Sequence, residues 1–151
     1  SHVLRIIREL IEFQPKSTKT NISEALKFLS GVMKKKAIVF MLSDFMDENY
    51  EQTLKIAGKK HDVTGIRVYD KHDVTIPNLG MVNMLDAETG KTQLVNTASK
   101  SVRNGYKEHY LRTVDYFEKS FSHSGSGVIS SRIDESYVKK LLGYFKHKGA
   151  R

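Results

Sequence analysis

Residues 37 to 45, "AIVFMLSDF", constrain the fold more than any other stretch of this chain. Ala37 to Leu42 run apolar without interruption, at strand length and without the alternation of a half-exposed strand. Such a run predicts a strand over residues 37 to 43, buried on both faces as in a parallel sheet. The run then ends in Ser43 and Asp44. A carboxylate there either turns the chain back toward water or belongs to a site. In open α/β sheets, ligands bind beyond the carboxyl ends of the strands.

The rest of the chain supplies helices and further strands around that run. Val3, Leu4, Ile7, Leu10 and Ile11 recur at helical spacing and predict a helix over residues 2 to 12, closed by Pro15. Ile22, Ala25, Leu26, Leu29, Val32 and Met33 predict a second helix, with Thr20 or Asn21 as its N-cap. Asp47, Glu48 and Glu51 place acid in the first turn of a third helix that runs to about Lys59. "DVTGIRVYD" reads as a second strand. "DAETGK" lies between two short apolar segments and predicts a hairpin with Gly90 at its positive-φ position. Val102, Tyr106, Tyr110, Val114, Phe117 and Phe121 form the core stripe of a long helix. A glycine-led strand around Val128 and Ile129 and a last helix carrying Tyr137, Leu141 and Phe145 complete the chain. Strands alternating with helices imply an α/β fold with parallel strands and right-handed crossovers. "KHDVT" occurs at 60–64 and again at 71–75, but the flanks differ, so it is not read as a repeat.

At 151 residues the chain suits one domain or a large part of one. It opens without methionine, directly into amphipathic helix, and is expected to be a piece of a longer protein. The apolar strand calls for neighbours on both sides, so a sheet-forming segment is expected before residue 1. In the fragment, the exposed edge at 37–43 is expected to invite another chain, including self-association. No apolar run approaches the roughly 20 residues of a spanning helix, and the N-terminus lacks a signal-peptide pattern. Without cysteine there is no disulfide, thiolate metal site or thiol nucleophile, which is compatible with a cytoplasmic location. The formal net charge is +8. Its lysine clusters fall near the ends of predicted helices, where cations complement the helix dipole. A nucleic-acid or acidic-partner surface is the competing reading, without a nucleic-acid-binding motif to support it.

Two residues stand out as site candidates. Asp44 ends the apolar strand, and "SDF" there suits a hard cation such as Mg²⁺, which takes oxygen ligands and keeps several waters. Thr20, in the loop entering the second helix, offers a hydroxyl that can cap the helix or reach a metal. Asp70 ends the second strand and is the best additional acid. His61 and His109 read as solvated or locally hydrogen-bonded. "GSG" at 125–127 lacks the pattern of a phosphate loop and reads as a loop entry.

"HVLRIIRELIEFQPKSTKTNISEALKFL", "KKKAIVFMLSDF", "KKHDVTGIRVYD" and "LDAETGKTQLV" together resemble the C-terminal half of the family called domain of unknown function 58. So do the region from Arg103 to Tyr110 and the ending "YVKKLLGYFKHK". The resemblance covers nearly the whole chain. It implies a Rossmann-like, von Willebrand factor type A-like open parallel sheet with flanking helices, lacking its N-terminal strands, with residues 1–151 a single partial domain. It further implies a metal-ion-dependent adhesion site, in which Thr20 matches the threonine loop and Asp44 the later aspartate. The Asp-x-Ser-x-Ser motif of such sites is nowhere in these residues and is expected upstream. Asn21 stands where the family often has Asp, which removes one negative charge.

The implied function is a protein-interaction domain of a bacterial protein, with no enzymatic activity of its own. It would be metal-dependent in the full-length protein, and a partner's acidic residue would complete the coordination of Mg²⁺. The fragment is expected to bind Mg²⁺ weakly or not at all. The implied partner is a MoxR-type AAA+ ATPase, the pair serving assembly or activation of other complexes. Two other classes compete: an Mg²⁺-dependent phosphoryl-transfer enzyme and a basic nucleic-acid-binding module.

Overall fold

The computed structural model of this chain describes residues 2–15, 19–86 and 89–148. In chain order the elements are α1 (His2–Glu12), α2 (Ile22–Val32), β1 (Ile38–Ser43), α3 (Glu51–Lys60), β2 (Asp62–Tyr69), α4 (Lys71–Val74), β3 (Met81–Leu85), β4 (Thr92–Asn96), α5 (Lys100–His123), β5 (Gly127–Arg132) and α6 (Tyr137–Lys148). The order β1-β2-β5 makes a three-stranded sheet, parallel throughout. Strands β3 and β4 form a separate antiparallel hairpin. Gly90 has φ +68 in its turn, as expected; residues 87 and 88 of that turn lie outside the described residues.

The strand register decides which side chains share a face. Phe40 is level with Thr64, and Leu42 with Ile66 and Ile129. Val39, Met41, Val63, Gly65, Arg67 and Val128 therefore point to the other face. That second face is closed by α2, α3 and α5, whose Ile22, Leu26, Leu54, Ala57, Phe117 and Phe121 join Val63 in one buried cluster. Gly65 is needed there, because a Cβ would lie 2.6 Å from Phe121 and 2.8 Å from Phe117. The aromatic stripe of α5 is core, as its spacing predicts.

Three sequence expectations need correction. The first concerns β1, which is not buried on both faces: Ile38 is 70% and Leu42 68% exposed. Among the described residues its outer face is covered by α6, which packs on β5 and meets β1 in an edge-on contact of Phe145 with Phe40 at 5.9 Å. Among the described residues β1 pairs with β2 alone and takes the sheet edge. The second concerns the third helix, which starts at Glu51 rather than Asp47. Phe45 and Asn49 both have positive φ, 57 and 64, so the chain between them cannot be helical. The third concerns His61, expected to be solvated or locally hydrogen-bonded, which is 2% exposed and bonded to a residue 24 positions away. Its Nδ1 accepts a hydrogen bond from the Ala37 amide at 3.3 Å.

Candidate functional site

The carboxyl ends of β1 and β2 form one rim of the sheet. At the end of β1 the chain turns at once. Ser43 Oγ accepts from the Phe45 amide at 3.0 Å, and Asp44 Oδ1 accepts from the Met46 amide at 3.2 Å. Such side-chain bonds to amides two residues on are how Ser and Asp build turns. Asp44 itself is exposed. Phe45, between them, is fully buried and stacks on Phe117 with ring centroids 4.3 Å apart. A bulky residue at φ 57 is strained by roughly 1–3 kcal/mol and persists only where packing over-determines it. The core thus grips Phe45, and that grip presents Asp44 at the surface.

Asp47 is the residue that the sequence reading misplaced. Its Oδ2 accepts from the Ile22 amide at 2.7 Å, and its Oδ1 accepts from Glu48 at 2.8 Å. Ile22 opens α2, whose Asn21 side chain caps the Glu24 amide at 2.9 Å. Asp47 therefore ties the loop that carries Thr20 to the loop that carries Asp44. The two loops are thus held together by the bond of this carboxylate to the Ile22 amide. The only sequence signal for it is an acid near a strand end, which reads equally well as a first-turn helix residue.

Asp70 also reaches the rim but is engaged. It caps α4, accepting from the His72 amide at 2.8 Å and meeting His72 Nδ1 at 2.7 Å. The backbone hydrogen bond from His72 is the main cause that holds its carboxyl below the usual carboxylate value. Near this end of β2 lies a group the sequence did not single out. Arg67 is buried in the sheet, donating to Tyr110 Oη at 2.6 Å and Ser130 Oγ at 3.3 Å. Its guanidinium lies 4.1 Å from the centroid of the Tyr69 ring. Among the described residues no carboxylate pairs with it.

Thr20 and Asp44 offer a hydroxyl and a carboxylate, the hard oxygen donors that Mg²⁺ prefers. They fit part of such a site. Among the described residues no three His, Asp or Glu side chains come together as a metal-binding group, and no helix is long and apolar enough to cross a membrane.

Residues 1–115 match the family described as "Protein of unknown function DUF58". The chain is 22% identical over 135 residues to Uncharacterized protein MAV169 of Mycobacterium avium, covering 89% of this chain and 79% of that protein. It is 29% identical to Uncharacterized protein Mb1516 of Mycobacterium bovis, where the match covers 86% of this chain but 41% of the relative. The same figures hold for Uncharacterized protein Rv1480 of Mycobacterium tuberculosis. The chain thus spans about two-fifths of the length of these last two relatives. Among solved structures it resembles the conserved hypothetical protein BatB from Bacteroides thetaiotaomicron, with a TM-score of 0.51 and 15% identity over 97% of this chain and 68% of that one. That likeness concerns the fold alone.

Proposed function

This chain belongs to the DUF58 family, and from that premise we propose that it forms part of a von Willebrand factor type A-like protein-interaction domain. The observation that carries the reading is the Asp47 link, which joins the Thr20 loop to the strained Asp44 turn at the carboxyl rim of a parallel sheet. Thr20 and Asp44 would hold Mg²⁺ together with donors from outside these residues. The bound ion would supply a Lewis-acidic centre left short of negative charge, to which a partner's acidic side chain adds a ligand. The role is binding rather than catalysis, in the cytoplasm. By family resemblance the partner is a MoxR-type AAA+ ATPase, acting in assembly or activation of other complexes.

The test is a pull-down with the full-length protein, with and without Mg²⁺, comparing wild type with Asp44→Ala. Partners that depend on Mg²⁺ and vanish in the variant support the reading. An identical partner list under all four conditions overturns it.

A further inference from the structure

The lysine clusters look unrelated in sequence, yet the fold gathers them at one end of the molecule. Four contacts show this. Lys60 Nζ donates to Ser30 O at 2.8 Å, joining the carboxyl ends of α2 and α3. The Asp62 amide donates to Ala37 O at 2.9 Å, setting the starts of β1 and β2 beside them. A Cβ on Gly58 would lie 2.8 Å from Ser124 O, which brings in the end of α5. Lys148 Nζ meets Asp62 Oδ1 at 2.6 Å, which brings in the end of α6. Each of these helices runs against the strands, so the lysines that follow α2 and those in the last turns of α3 and α6 share the pole opposite the Asp44 rim.

The pole holds the lysines at 34–36, 59, 60, 146 and 148, with His61, His123 and His147 nearby. Within segments 32–38, 58–62, 122–127 and 145–148 the only carboxylate is Asp62, already paired with Lys148. Lys34, Lys35, Lys36, Lys59 and Lys146 are exposed, and among the described residues none has a carboxylate partner. The helix-dipole explanation accounts for each cluster singly. It does not account for so many unpaired ammonium groups at one end.

We propose that this pole is an attachment surface for an anionic lipid bilayer. Every formal cation in the four segments is lysine, a flexible point charge without the planar fork that favours phosphodiester and base recognition. The charges are spread over four element ends instead of following a groove. Val32 and Met33 before the lysine triplet, and Ile38 just after it, are exposed apolar side chains. Basic residues interleaved with exposed apolar ones suit the headgroup boundary, where burial of the apolar group adds to attraction by anionic lipid. The inference does not depend on the metal reading.

The test is co-sedimentation of the purified protein with phosphatidylcholine vesicles, with and without phosphatidylglycerol, at physiological salt. Binding is expected only to the anionic vesicles. The triple variant Lys34→Glu/Lys35→Glu/Lys36→Glu should bind on the order of 100-fold more weakly, given the free energy each juxtamembrane lysine contributes. A control triple, Lys71→Glu/Lys100→Glu/Lys107→Glu, makes the same change in net charge away from the pole and should retain binding. Asp44→Ala should bind like wild type, which separates a failure here from a failure of the metal reading. Far-UV circular dichroism checks that each variant folds. Equal losses in the two triples would overturn the proposal, as would absence of vesicle binding. So would tighter binding to duplex DNA or polyglutamate than to anionic vesicles at the same salt.

Discussion

The two faces of the three-stranded sheet are built from alternate residues of the same strands, yet only one is closed. On one face, Val63 and Gly65 lie under Phe117 and Phe121, and the cluster excludes water. On the other, Ile38 and Leu42 stand in solvent beside a groove lined by Ile66, Val68, Ile129 and Leu141. Apolar character is similar on both sides, so composition does not decide which face is buried. The number of helices laid against each face does: α2, α3 and α5 on one, α6 alone on the other.

The largest expected effect tests that asymmetry directly. Phe117→Ala should cost about 3–5 kcal/mol, because it opens a cavity among Phe45, Phe121 and Gly65. Phe40→Ala removes the same side chain from the open face and should cost less than about 1 kcal/mol, since Phe40 is already 44% exposed. Urea midpoints for both variants make the comparison. Equal losses would mean that the open face is covered in solution.

A second pair compares glycines on the two faces. Gly65→Ala drives a methyl into two buried rings and should cost about 1–3 kcal/mol, because neither ring has room to move. At Gly127 the obstacles are the far end of Tyr144 and Thr64 Oγ1, 2.9 Å from the added Cβ, and the two hydroxyls meet at 3.1 Å. Gly127→Ala should displace Tyr144 and lose about 1 kcal/mol with that hydrogen bond. Thermal melts rank the two, and a larger loss at Gly127 would show that α6 is fixed as firmly as α5.

The same asymmetry explains what was legible in the sequence. Helical stripes and the glycine turn depend on neighbours a few residues away, so α2, α5 and the β3–β4 hairpin could be read directly. The faces of β1 could not, because their burial depends on which distant elements arrive. "KHDVT" makes the point within one chain. At 60–64 it ends α3 and starts β2, with His61, Val63 and Thr64 buried. At 71–75 four of the same residues form α4, held by the Asp70 capping box. Thr20 and Asp44 were readable as candidates from their places at element ends and from the family resemblance. Asp47 was not, because its role is to bond an amide 25 positions away. Arg67 sat within a predicted strand, where a lone cation reads as solvent-facing.

Among the described residues, Tyr50 Oη and His61 Nε2 are buried without a hydrogen-bond partner, and the first of these gives the smallest effect. Tyr50 is fully buried against Phe45 and Tyr116, and its hydroxyl has no hydrogen-bond partner. Burial, then the nearby Tyr116 and Asp47, pushes that hydroxyl well above its ordinary value of 10.0. The unfolded chain therefore ionises Tyr50 at lower pH than the folded one does. The stability that depends on a neutral Tyr50 is complete below pH 10 and drains away as pH rises toward the folded value. Tyr50→Phe removes an unsatisfied polar group and keeps the ring, so at neutral pH it should be neutral or stabilising by up to about 1 kcal/mol. Above pH 10 the variant should lose less stability than wild type, so the gap between their urea midpoints should widen with pH. A variant clearly less stable than wild type at neutral pH would show that the hydroxyl has a partner.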